Sequence, residues 1–116
     1  MARRLSTTRL RAAALLFAAL GDPTRLDLVA RLSAGGPGSI TELSEGARVS
    51  RQAVTKHLRV LADAGLVHHY HRGREHVYEL APARLGDAHA FLNRIDTQWS
   101  AALERLRRLV EDEHEG

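Results

Sequence analysis

Residues 39–80 read SITELSEGARVSRQAVTKHLRVLADAGLVHHYHRGREHVYEL, and the fold turns on this stretch. Two helical patterns separated by a tight turn are followed by two β-rich runs with a glycine between them. Ser39 or Thr41 is placed to cap a short helix over 39–46 that carries Ile40, Leu43 and Ala47. Gly46 supports a turn through Arg48 and Val49. Ser50 then caps a longer helix over 50–64. Along it Val54, Leu58 and Leu61 step by four and three and must face inward, while Gln52, Thr55, Lys56 and Arg59 share another face. Gly65 is placed to stop the helix in a left-handed conformation. Residues 66–71 and 76–80 are rich in β-branched, aromatic and His side chains. Gly73 supplies the positive φ of a tight hairpin turn, so 66–80 is predicted as a hairpin with Arg72 and Arg74 at its tip.

Towards the N-terminus, Gly35-Gly36-Pro37-Gly38 marks a loop. Before it, Asp22 is a good N-cap and Pro23 a good first residue for a helix over 23–33, with Leu26, Val29, Ala30 and Leu32 available to the core. A further helix is expected over 9–20, with Leu10, Ala13, Ala14, Phe17 and Leu20 near helical spacing. Residues 1–8 read as a disordered basic arm. The basic start followed by an apolar run from Ala12 to Leu20 has the outline of a secretory signal, but the spacing favours the amphipathic helix. No run reaches the roughly 18 apolar residues of a membrane span, and no membrane partner is expected.

Towards the C-terminus, Leu85, Ala88, Leu92, Ile95, Trp99, Ala102, Leu106 and Leu109 alternate steps of three and four. That is a coiled-coil seam. A helix over 82–112 is roughly 45 Å long, too long for one small domain to cover by itself. A second copy of the chain in a two-fold dimer is the expected cover, with Leu85, Leu92, Ile95, Trp99 and Leu106 at the interface. Packing against the first helix within one subunit is the other option, and the two are compatible. The expected fold is mainly α with one β-hairpin. It is a single winged helix-turn-helix domain over 1–116, flanked by N- and C-terminal dimerisation helices.

The chain has 116 residues and a net charge of +3, with 17 Lys+Arg against 14 Asp+Glu. The charge is uneven: residues 1–81 carry 12 cations against 7 anions, and residues 82–116 carry 5 against 7. Lys56 is the only lysine. Six cations (Arg48, Arg51, Lys56, Arg59, Arg72 and Arg74) fall between 48 and 74, opposed by Asp63 and Glu75. In a helix-turn-helix the second helix enters the major groove with its N-terminal part at the base edges. There Arg51 and Lys56 can donate to guanine and Gln52 can pair with adenine. Thr55 can meet a thymine methyl or a phosphate, and the Ser50 hydroxyl at the helix start suits a phosphate. Arg59, a turn further on, suits the phosphate backbone. Arg72 and Arg74 fit a narrow minor groove or its bordering phosphates. Double-stranded DNA is therefore the expected partner.

The absence of cysteine rules out disulfides, thiolate metal sites and thiol switching, and is compatible with the expected cytoplasmic location. No nucleophile elbow, phosphate loop or His-x-x-x-His is present, so no enzymatic activity, cofactor or metal is expected. Two alternatives remain open. One is a protein-interaction module built on the long C-terminal helix. The other is a metal-responsive regulator using His69, His71 and His76, of which the last two face each other across the predicted hairpin. His57, inside the second helix of the pair, reads as a packing or phosphate-contacting residue.

At ALGDPTRLDLVARL (19–32), ITELSEGARVSRQAVTKHLRVLADAGLV (40–67) and RGREHVYEL (72–80), the chain resembles the ArsR-type winged-helix transcriptional regulators. The tail FLNRIDTQWSAALERLRRLVE (91–111) is similar to a subgroup without metal-binding cysteines. The resemblance implies a homodimer held by its terminal helices, an inverted-repeat operator, and repression relieved by a signal. It also exposes departures. Where soft-metal sensors carry Cys-x-Cys, this chain has Glu42-Leu43-Ser44-Glu45. Asp87 and His89 match the first half of a last-helix metal site, but Ser100 and Leu103 stand where its second half would fall.

Overall fold

The computed structural model describes residues 6–115. Of the arm expected over 1–8, residues 1–5 lie outside the described residues. Thr7 and Thr8 belong to the first helix, α1 (Thr7–Leu20), because the Ser6 hydroxyl accepts from the Arg9 N–H at 3.2 Å and caps it. Next come α2 (Pro23–Gly35), β1 (Gly38–Ser39), α3 (Ile40–Ser44), α4 (Arg51–Asp63), β2 (Val67–Arg72), β3 (Glu75–Leu80) and α5 (Pro82–Glu115). The fold is mainly α-helical, with a β-hairpin inside a small sheet and a helix-turn-helix ahead of it.

Local chemistry sets most of these boundaries. The Asp22 carboxylate accepts from the N–H groups of Thr24 (2.9 Å) and Arg25 (3.0 Å), with Pro23 at the first helical position. Ser39, rather than Thr41, caps α3 in a reciprocal box: its hydroxyl accepts from Glu42 N–H and the Glu42 carboxylate accepts from Ser39 N–H. α4 ends in a Schellman turn, in which Leu66 N–H donates to Leu61 C=O and Gly65 N–H to Ala62 C=O, both at 2.9 Å. Gly65 sits at φ +78°, and Leu61 and Leu66, the apolar pair that accompanies this turn, are fully buried. Between β2 and β3 the loop is two residues long, Gly73-Arg74, with positive φ at Gly73 only.

The three-stranded sheet has the order β1-β3-β2 and is antiparallel throughout. β1 was not expected. Two residues are too short to show alternation, and Gly38 and Ser39 form a strand only because Tyr78 and Val77 present an open edge to them. The core joins Leu16 and Ala19 of α1, Leu28 and Leu32 of α2, Leu43, and Val54, Leu58 and Leu61 of α4 to Leu66, Val67, Tyr78 and Ala88.

Two inward faces differ from the sequence reading. In α1 the buried residues are Leu16 and Ala19, with Phe17 and Leu20 only partly covered and Leu10 exposed. In α2 they are Leu28 and Leu32, while Leu26 and Ala30 point outward. Both helices carry apolar residues around most of their circumference, so spacing leaves their phase open and packing chooses it.

α5 runs for 34 residues, about 50 Å at the helical rise. Its first turns pack on the domain: Ala88 is in the core, Leu85 lies against it, and the Phe91 ring meets Phe17 at 5.7 Å between centroids. Leu85, placed at the dimer seam by its spacing, is thus partly buried within its own chain. Beyond Phe91 the helix projects. The radius of gyration is 19.7 Å, against about 13 Å for a compact chain of this length.

Candidate nucleic-acid interface

Three contacts fix α4 in the domain before any partner arrives. Val54, Leu58 and Leu61 are completely buried on its inner face. Arg25 of α2 reaches across its N-terminal half: Nε donates to Ala19 C=O at 2.6 Å, Nη2 to Ala18 C=O at 3.3 Å, and Nη1 lies 3.3 Å from His57 Nδ1. One guanidinium thus ties the last turn of α1 to α4. Asp22 Oδ2 stands 3.8 Å from the same His57 nitrogen. The Asp22 carboxyl is held below its ordinary pKa, first by the Arg25 N–H it accepts and then by the facing His57 and Arg25 charges. His57 is accordingly a packing residue in the Asp22–Arg25–His57 joint.

Arg31 makes the second joint. Its guanidinium donates to the carbonyls of Leu43 (2.7 Å), Glu42 (3.1 Å) and Glu45 (3.1 Å). These are the orphan acceptors at the C-terminal end of α3. That is why α3 stops at Ser44, two residues short of the expected end at 46, and why the turn into α4 is firm. Neither arginine was singled out from the sequence. Arg25 lies within the GDPTR stretch quoted above, but nothing in spacing reveals which carbonyls an arginine will reach.

The opposite face of α4 is open. Arg51, Gln52, Lys56 and Arg59 are exposed and Thr55 is partly so. The Ser50 hydroxyl accepts from Ala53 N–H at 3.1 Å as the helix cap, so its proton stays available to a further acceptor. Thr55 spends its own proton on Arg51 C=O at 3.0 Å, which leaves its methyl and an oxygen lone pair outward. Arg72 and Arg74 sit at the exposed hairpin tip, where Arg72 Nη2 pairs with Glu75 at 3.4 Å. Such an exposed pair is worth little and yields readily to a phosphate. The structure therefore gathers Ser50, Arg51, Gln52, Thr55 and Lys56 on the first turns of one helix, carries Arg59 further along it, and sets Arg72 and Arg74 apart on the wing.

Three wing histidines lie on one face of the hairpin. His71 pairs with His76 and His69 with Tyr78 in the strand register. His76 Nε2 is 2.9 Å from His69 Nδ1. Among the described residues no group of three or more His, Cys, Asp or Glu is arranged to hold a metal ion, on the wing or around Asp87 and His89. No helix among them is long and apolar enough to cross a membrane.

A helix-turn-helix whose second helix is locked from behind and cationic in front, followed by a basic-tipped hairpin, defines a winged-helix DNA-binding protein. Known proteins agree. Residues 20–70 match the model of a helix-turn-helix domain family. The HTH-type transcriptional regulator Rv2034 of Mycobacterium tuberculosis is 40% identical over 95 residues, covering 82% of this chain and 85% of that one. The structure of an ArsR-like transcriptional regulator from Rhodococcus sp. RHA1 superposes with a TM-score of 0.74 at 33% identity, over 89% of this chain and 96% of that one. The transcriptional repressor BigR from Xylella fastidiosa superposes with a TM-score of 0.60 at 28% identity, over 78% and 88%. The chain belongs to the ArsR family of winged helix-turn-helix transcriptional regulators, in a form without cysteine ligands. It is a DNA-binding regulator and not an enzyme.

Proposed function

We propose that this regulator acts as a homodimer on an inverted-repeat operator, most simply as a repressor that occludes a promoter. The observation that carries the reading is the two-sidedness of α4: three fully buried leucine and valine side chains fix it from within, while the cationic and amide side chains of its first turns are free outside. In this reading Arg51, Gln52 and Lys56 read base edges. Ser50, Thr55 and Arg59 hold phosphates, and Arg72 and Arg74 enter the minor groove or grip its edge. Repression is supported by the likeness to the transcriptional repressor BigR from Xylella fastidiosa.

Dimerisation is supported by the distal part of α5. Leu92, Ile95, Trp99, Leu103, Leu106, Leu109 and Val110 are all exposed among the described residues. A stripe of that size is an interface in search of a cover. A rigid two-fold pair spaces its recognition helices by about 34 Å, one turn of duplex.

The test is footprinting on the DNA upstream of the chain's own gene, followed by titration at several salt concentrations. Two protected half-sites about one turn apart are expected. If each subunit neutralises about three phosphates, log affinity falls with log salt at a slope of about −5. A flat salt response overturns the reading.

A further inference from the structure

The wing carries a group of side chains that the interface described above leaves unused. Along β2 and β3 the register places Val67, His69 and His71 on the same face as Leu80, Tyr78 and His76. The inner end of that face, Val67 and Tyr78, is buried in the core next to α4. Its outer end is a ladder of rings. His76 stacks on His71 at 4.6 Å and on Tyr78 at 4.8 Å, and His69 meets His76 edge-on at 4.9 Å. Arg59 of α4 acts on His76 and Tyr78 of this ladder from the side of the recognition helix.

The geometry points to a second phosphate-binding subsite in this ladder: His69, His71 and His76 grip the DNA backbone between the recognition helix and the wing tip, and take up a proton to do so. The proposal rests on the DNA-binding reading above and deepens it. The chemistry follows from the 2.9 Å contact between His76 Nε2 and His69 Nδ1. One nitrogen must donate and the other accept, so the neutral pair holds one proton in the bond and one on an outer ring nitrogen. Adding one proton keeps the bond and makes it charge-assisted. Adding a second breaks it. Near a phosphate the singly charged pair is the favoured state, with both outer nitrogens carrying an N–H free to donate.

The free chain resists this charge. His76 is held below the ordinary imidazole pKa, first by desolvation and then by His71 and His69 from β2 and Arg59 from α4, while Tyr78 covers it from β3. A phosphate reverses the balance by supplying negative charge beside His76. The DNA-bound pKa then lies above the free one. Protons are taken up on binding, and affinity rises as pH falls through the interval between the two values.

The experiment is fluorescence anisotropy of the full chain on a mixed-sequence 30-base-pair duplex, at constant ionic strength from pH 8 to pH 5.5. A backbone contact needs no operator, so this probe isolates it. The expected result is an affinity gain of about tenfold per pH unit for each proton taken up, about one per subunit, and a much shallower gain in the His69→Gln/His76→Gln variant. Binding by the unaltered chain with no pH dependence, or the same dependence in the variant, overturns the subsite and leaves the DNA-binding reading standing. Failure to bind at every pH overturns both. NMR titration of the unaltered chain's imidazoles keeps the question open to disproof should the variant misfold: the midpoints of His69, His71 and His76 rise with the duplex present, and midpoints that stay put overturn the proposal.

Discussion

Two helices of this molecule carry the same kind of apolar pattern and meet opposite fates. In α4, Val54, Leu58 and Leu61 recur at steps of four and three and are 0% exposed. In the distal part of α5, Trp99, Leu106 and Leu109, seven and three residues apart on the same seam, are 64%, 57% and 64% exposed. The difference lies in what surrounds them. α4 is enclosed by α1, α2, α3 and the sheet. The end of α5 has outrun its own domain. The lesson is that periodicity identifies the face of a helix that seeks cover without naming what supplies it. The head of this protein is finished as a single chain, and the rod is not.

The comparison suggests where the molecule breaks. The largest effect is expected from charge in the rod. Trp99→Asp with Leu106→Asp should raise the dimer dissociation constant a thousandfold or more, about 4 kcal/mol, as read by analytical ultracentrifugation at micromolar concentration. The helices of the head should keep their circular dichroism. A dimer unmoved by this pair would place the interface elsewhere.

The same charged variant gives a background in which head stability is free of association. On it Leu58→Ala should lower the unfolding free energy by about 3 kcal/mol in chemical denaturation, and Leu109→Ala by less than about 0.5 kcal/mol. Equal effects would erase the distinction between the two helices.

On the outer side of α4, Arg51→Ala and Lys56→Ala should each cost about 1–3 kcal/mol of operator affinity and relax the base preference at one position of each half-site. Arg74→Ala on the wing should weaken operator and mixed-sequence DNA alike and reduce the steepness of the salt dependence by about one per subunit.

The smallest effect concerns the joint behind α4. The Asp22 carboxyl is held below its ordinary pKa, so it stabilises the fold above the carboxylate range and loses that contribution as pH falls through its lowered value. Asp22→Asn keeps a cap but removes the titration. It should flatten the acid limb of the stability curve by lowering stability modestly at neutral pH, while the two chains converge in acid.

Much of the candidate interface was legible because it rests on local chemistry. A Ser cap, an inward triplet of Val54, Leu58 and Leu61, and a Gly65 stop define a helix and its phase within a few turns, so the outward residues follow by subtraction. The joints were not legible. Arg31 and Arg25 act on carbonyls up to 14 positions away, and a carbonyl oxygen leaves no trace in residue type. The contact of His76 with His69 was also out of reach. The strand register pairs His76 with His71, whereas the 2.9 Å contact is diagonal and depends on side-chain rotation.

By itself, the order of residues determined where α2 and α4 start and where α4 stops, which face of α4 is dry, that the wing turns at Gly73, and that arginine crowds the region from 48 to 74. These are settled by caps, spacing and backbone conformation, forces that act over a few residues. Only the tertiary structure decided the phase of α1 and α2, the pairing of Gly38 and Ser39 with β3, and the arginine ties that brace the helix-turn-helix. It also drew the line along α5, near Phe91, where packing on its own domain ends. Those outcomes depend on which surfaces meet in space, and a meeting of distant segments is set by the shape of the whole core.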